Sequence, residues 1–181
     1  MRNTTLKQIL MGIGGLVLLC TTGPLSFDIF GVIPVTLQSL WVILLASVSG
    51  WFGVIAVGAY VFMGLAGLPV FSNYGSGWIK IHGPSGGFLV GFILIAIGLV
   101  LYLKQNPVQS RPVRCFFLFV VAHIILLILG FSWMLVVLEG ASSIIGSLLL
   151  LLSPGLILKS IVGAALSKII YDRMLIEGSE P

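Results

Sequence analysis

The chain has 181 residues, 59% of them hydrophobic and 8% charged, with a mean hydropathy of +1.22. Soluble domains carry about 25% charged residues, so a water-soluble globular protein is excluded. The net charge of +4 is not a nucleic-acid footprint, because the nine Lys and Arg residues are scattered and no basic stripe is interleaved with aromatics.

A bilayer core takes roughly 20 apolar residues per helix. Its lack of water leaves only helices or a closed barrel as spanning structures. Barrel strands alternate polar and apolar residues, whereas residues 93–103 and 115–129 are nearly continuous apolar runs. The expectation is an all-α polytopic membrane protein: one integral membrane domain over residues 1–181, with six transmembrane helices.

Helix 1 is expected over 6–22. Arg2 and Lys7 precede its apolar run, but no small-x-small cleavage site follows, so it reads as a span rather than a signal peptide. Gly23-Pro24 closes it, and 26–33 reads as an irregular loop. Helix 2 is placed at about 35–49, entered near Pro34, a residue tolerated in a first helical turn. The apolar stretch 37–68 is too long for one span, and Ser49-Gly50-Trp51-Phe52-Gly53 offers the break, so helix 3 covers 52–67.

Residues 67–83 turn to Gly, Ser, Asn, Tyr and Pro and read as a long loop. Helix 4 is expected at 84–103, a polar connection at 104–114 and helix 5 at 113–131. Residues 132–153, interrupted by Glu139, Gly140 and a Ser/Gly cluster, read as a partly helical loop. Helix 6 then runs from Pro154 to about 173, and the tail 177–181 is expected to fray. Cys20 and Cys115 are isolated in apolar runs and read as small core residues.

Cation placement gives the orientation. Arg2 and Lys7, then Lys104, Arg111 and Arg114, then Lys168 and Arg173 fall on one side of a six-span topology. Asp28, Lys80 and Glu139 fall on the other. The positive-inside rule puts the first set, with both termini, in the cytoplasm.

Three connections rich in special residues then share the outer face: 23–38, 67–85 and 139–159. Gln38, with Thr36 near the helix start, either makes an interhelical hydrogen bond or lines a pocket. Phe71 is an apolar anchor beside Asn73 and Tyr74, which suggests an aromatic wall with an amide. Gly83-Pro84-Ser85-Gly86-Gly87 opens helix 4, where free N–H groups can receive an anion or carbonyl, although Gly-rich helix starts also serve close packing. Lys159 lies within apolar helix 6. It either snorkels to the interface or is a cation held for a carboxylate or carbonyl. His123 reads as hydrogen-bonded core, and Lys80 and His82 as solvated loop residues. No nucleophile–base set, acidic pair or metal spacing suggests an enzyme.

Read together, these segments resemble the biotin-specific substrate-capture subunit (the S component, BioY family) of energy-coupling-factor (ECF) transporters. The resemblance rests on Ile33-Pro34-Val35-Thr36-Leu37-Gln38-Ser39-Leu40 and on Gly67-Leu68-Pro69-Val70-Phe71. After the latter, an 11-residue Gly-rich stretch leads to Gly83-Pro84-Ser85-Gly86-Gly87-Phe88 and Gly91-Phe92. Ser153-Pro154-Gly155 before Lys159 is the third segment. It implies a six-helix capture protein in the bacterial cytoplasmic membrane that takes biotin from outside, with no cofactor. A coupling transmembrane protein and two ATPases on other chains would supply the energy. The matching pocket residues would be Asn73, Gly83 to Gly87 and Lys159.

The chain departs from the family pattern in three places. Leu156 stands where an acidic residue is usual, the helix 2–3 turn lacks its basic residue, and Gly12, Gly14 and Gly15 form only a loose small patch on helix 1. Two other readings remain: an S component for another small vitamin or acid, motivated by Leu156, and a non-transporting membrane scaffold.

Overall fold

A computed structural model describes residues 2–29 and 33–178, with side chains over 5–26 and 35–174. The chain is helical apart from one small β-ribbon: α1 (Arg2–Thr22), β1 (Ser26–Ile29), β2 (Ile33–Thr36), α2 (Gln38–Ser49), α3 (Trp51–Leu65), α4 (Ile79–His82), α5 (Gly86–Gln105), α6 (Pro112–Val137) and α7 (Ala141–Gly178). The membrane class expected from composition holds. The count of six full spans does not: among the described residues four helices, α1, α5, α6 and α7, are long and apolar enough to cross a bilayer, while α2 and α3 have 12 and 15 residues.

Outward-facing residues explain the composition. Phe62 is 72% exposed, and Val136 and Leu150 are each 79% exposed, on a surface suited to hydrocarbon rather than water. The centre of the bundle is α2, which packs on α1, α3, α5 and α7, and ten of its residues are buried. The expected break between helices 2 and 3 falls at Gly50, whose φ of +57° is a left-handed conformation that glycine adopts without penalty.

Two expectations are corrected. Within the span expected to be an irregular loop, Ser26–Ile29 and Ile33 are strand: β1 and β2 form an antiparallel ribbon in the register Ser26↔Thr36 to Ile29↔Ile33, and residues 30–32 lie outside the described residues. Ser-Phe-Asp-Ile and Ile-Pro-Val-Thr carry β-branched and aromatic residues that favour extended chain. Pro34 is tolerated because both strands of a two-stranded ribbon are edges. Pro34 therefore does not open α2, which starts at Gln38.

The second correction concerns 132–153. Helix α6 continues to Val137, and after a turn at Gly140 (φ +76°) α7 runs unbroken through Pro154. Proline removes the N–H that Leu150 O would accept, but Ser153 Oγ donates to that carbonyl at 2.8 Å and takes its place. The first turns of α7 bury Ala141 and Leu148 against Phe131 and Met134 of α6. The α7 helix extends through 177–178, and the rest of the tail expected to fray lies outside the described residues.

The ends of the bundle differ. Gln8, Gly50, Trp51, Lys104, Gln109, Tyr171 and Met174 border one hollow, so the start of α1, the α2–α3 turn, the α5–α6 connection and the end of α7 share one end. Lys104 Nζ lies 5.3 Å from the Trp51 ring centre there. The ribbon and the 68–85 segment meet at the other end, where Asn73 N donates to Pro24 O at 3.1 Å.

Candidate ligand cavity

At that second end a cavity of about 810 Å³, mouth included, opens between β2, α2, the 71–80 segment, α5, α6 and α7. All three connections expected to converge supply wall residues: Val35, Thr36 and Gln38, with Ser39 just beyond; Phe71, Ser72, Lys80 and Ser85; Leu152, Leu156 and Lys159. The remaining wall is apolar, with Phe88, Leu89 and Phe92 of α5 and Leu126 and Leu127 of α6, beside His123.

Gln38 is buried in a closed network. Its Nε2 donates to Gly23 O (3.1 Å) and to Tyr60 Oη (2.7 Å), while its Oε1 accepts from Thr36 Oγ1 (3.2 Å). Tyr60 Oη in turn donates to Val70 O at 2.9 Å. This network ties α1, α2, α3 and the 68–71 segment together and seats Phe71, which is 1% exposed and packs edge-on to the Tyr60 ring at 5.6 Å. Between the two roles open to Gln38, the geometry is that of an interhelical strut on the cavity wall.

The Gly-rich entry to α5 divides in the same way. Ser85 faces the cavity, but Gly86 and Gly87 are buried, and a Cβ on them would lie 1.7 Å from Ile81 O and 2.4 Å from Trp133 Cβ. Gly83 O accepts from Trp133 Nε1 at 3.1 Å. These glycines let α5 approach α6 and the short α4, and they stand behind the wall rather than on it.

Asn73 and Tyr74 also lie off the lining. Both have left-handed backbones (φ +55° and +52°), in a turn closed by Phe71 N donating to Gly75 O at 3.1 Å. Ser26 Oγ donates to Asn73 Oδ1 at 2.6 Å, which pins this turn to the ribbon. Tyr74 is 65% exposed. Asn tolerates such a backbone; Tyr does so only where its surroundings hold it.

Lys159 does face the cavity, and its Nζ donates to Ser39 Oγ at 3.2 Å. Leu156, one turn earlier, is on the same wall, so the position where the family resemblance expects an acid is a hydrocarbon surface. Glu139, on the turn before α7, is exposed and does not line the cavity.

Sequence reasoning missed four polar wall residues, Ser39, Ser72, Lys80 and His123. Ser39 holds the lysine. Lys80 is not merely solvated: it lines the cavity, with Nζ 3.4 Å from Ser72 O and its stem crossing Gly75, where an added Cβ would lie 1.9 Å from Lys80 Cε. The side-chain-free Gly75 five residues before a lysine was the available signal. His123 has the expected core hydrogen bond, Nδ1 to Phe119 O at 2.9 Å, but it also lines the cavity. Among the described residues the lining therefore holds two ammonium groups and no carboxylate. Chemically it suits a small, largely apolar molecule bearing an anion or carbonyl.

The model of the BioY family matches residues 1–175. This chain belongs to the BioY family. Among its BioY relatives, the biotin transporter BioY2 of Lactococcus lactis subsp. cremoris is 31% identical over 138 residues, covering 74% of this chain and 72% of the relative. The biotin transporter BioY of Thermotoga maritima is 47% identical over 79 residues, 42% of this chain and 47% of the relative. The crystal structure of an S-component for biotin from an ECF-type ABC transporter superposes with a TM-score of 0.86. It covers 95% of this chain and 94% of that one at 20% identity, a likeness of fold.

Proposed function

We infer that this BioY chain is the membrane-embedded subunit that binds biotin for uptake by an ECF transporter. It is a transport subunit rather than an enzyme. The observation that carries the reading is the cavity with Lys159 in its wall, an ammonium inside an apolar helix that is costly unless it serves a site. Biotin offers what this lining suits: a carboxylate and a ureido carbonyl for cations, joined by apolar rings and an alkyl chain for Phe71, Phe88 and Phe92.

The binding set we propose is Lys159, Lys80, Ser39, Ser85 and Phe71. Thr36 and Gln38 hold the wall, and Gly83, Gly86 and Gly87 seat α5. Asn73 and Tyr74 belong to the same turn as the lining residue Ser72, and Asn73 ties that turn to Ser26 of the ribbon.

Lys104, Arg111 and Arg114 lie at the end opposite the cavity, which supports a bacterial cytoplasmic membrane with both termini inside and the cavity facing out. A coupling transmembrane protein and two ATPase chains would complete the transporter. Leu156 in the wall favours a second reading, another small carboxylic vitamin.

One titration decides between them. Purified protein in nanodiscs is expected to bind labelled biotin saturably, and excess of other carboxylate vitamins should not displace it. Displacement by another vitamin would move the assignment to that ligand, and absence of any saturable binding would overturn the transport reading.

A further inference from the structure

His123 presents an unusual ring. It is 4% exposed, and its Nε2 is buried without a hydrogen-bond partner among the described residues. Nδ1 stands 2.9 Å from Phe119 O. Two lone pairs cannot face each other at that distance, so Nδ1 carries the proton and donates it to the carbonyl. Ser160 Oγ, at 3.4 Å from the same nitrogen, is a weaker neighbour. In the neutral ring this leaves Nε2 as a bare acceptor. A second proton there would have no acceptor to bond, and the charged groups sharing the cavity are the cations Lys80 and Lys159.

The other side-chain acceptors of the lining are the Gln38 amide oxygen and the hydroxyls of Thr36, Ser39, Ser72 and Ser85, which are donors as well. Lys80 and Lys159 only donate. Gln38 Oε1 is engaged by Thr36, and Ser39 Oγ by Lys159. Leu156 supplies no acceptor at all. A cyclic urea, however, brings two N–H donors beside its carbonyl, and burying a donor unpaired is costly. The carbonyl has a cation to receive it in Lys159, and Ser160, the next residue on α7, touches the His123 ring. His123 and Lys159 both line the cavity, so an acceptor from α6 and a cation from α7 border the same space.

We propose that His123 Nε2 accepts a hydrogen bond from one ureido N–H of the bound ligand and is a specificity-determining residue of this cavity. This rests on the biotin reading above. It also accounts for Leu156: the acceptor comes from α6, so α7 need not provide a carboxylate.

The test reads the ring itself. The chain has two histidines, so ¹⁵N-histidine labelling gives two rings, and His82→Gln, at an exposed residue off the cavity, assigns the other to His123. Saturating biotin is expected to move the His123 Nε2 resonance in the direction of an accepted hydrogen bond. In parallel, His123→Leu should weaken biotin binding about 10- to 100-fold. His123→Gln, which keeps an oxygen acceptor at similar reach, should recover most of that loss. Wild type should lose a similar factor for one of the two analogues in which a ureido N–H is replaced by oxygen, and His123→Leu should no longer distinguish that analogue from biotin. Saturable biotin binding with an unmoved Nε2 resonance, or with full discrimination kept in His123→Leu, overturns the proposal and leaves the biotin reading standing. Failure of wild type to bind biotin overturns both. The resonance decides the matter even where the Leu variant does not fold.

Discussion

The cavity has two polar walls, and they differ in how far their hydrogen bonds are satisfied. On the α2–α3 side, both amide N–H groups of Gln38, its oxygen and the Tyr60 hydroxyl all have protein partners. On the α6–α7 side, Lys159 makes a single hydrogen bond among the described residues, and His123 Nε2 makes none. A buried group whose partners are all internal is accounted for by the fold. A buried group left short of partners costs free energy that a ligand can offset. As letters in apolar runs Gln38 and Lys159 look alike; in three dimensions one is a strut and the other a receptor.

The largest expected effect breaks the receptor wall. Lys159→Met keeps the length of the stem and removes the charge. Biotin affinity should fall about 30- to 100-fold, the worth of a charge-assisted hydrogen bond of ~2–3 kcal/mol, as read by calorimetry in nanodiscs. The melting temperature should stay level or rise, because a partly buried cation has been removed from an apolar setting. A melting temperature that falls with unchanged affinity would make Lys159 a structural residue.

The mirror-image change, in the strut wall, is smaller and of another kind. Tyr60→Phe removes the hydroxyl that accepts from Gln38 and donates to Val70 O, on a side chain with 0% exposure. About 1–2 kcal/mol of stability should be lost, seen as a lower melting temperature in detergent. Biotin and its analogues should be weakened by a common factor, since only the seating of Phe71 is disturbed. Loss of discrimination among the analogues would erase the distinction between the walls.

What the sequence could disclose follows the same division. Long apolar runs, the Gly50 break and the clustering of cations at one end depend on composition and local chemistry, so they were legible. The β-ribbon was not, because two four-residue strands with a proline give little periodicity. The α7 helix was cut short because Pro154 and the Ser/Gly cluster read as breaks, whereas Ser153 repairs the ladder at Leu150. Lys159 stood out because an ammonium is rare in an apolar helix. His123 Nε2 could not, since its availability depends on which ring nitrogen the Phe119 carbonyl captures. Lys80 was hidden for a third reason: a left-handed turn at Asn73 and Tyr74 and a bare Gly75 fold its stem over the cavity.

Lys80 also supplies the finest test of the comparison, because it is a half-buried cation that lines the cavity outside the α6–α7 wall. Its only hydrogen bond among the described residues, to Ser72 O at 3.4 Å, is long. Lys159 and Lys80 should therefore act at different stages of binding. A half-buried ammonium near the mouth attracts an anion through solvent, and that attraction is screened within about 8–10 Å at physiological salt. Lys80→Gln should accordingly slow association about two- to fivefold at low ionic strength, with little change in dissociation, and the difference should vanish at high salt. Lys159→Met should act mainly on dissociation and persist at high salt, as expected for a contact removed from water. Stopped-flow binding at two salt concentrations separates the two. If Lys80→Gln instead speeds dissociation at high salt as strongly as Lys159→Met, the outer lysine grips the bound ligand too, and the receptor wall extends across the mouth onto the 71–80 segment.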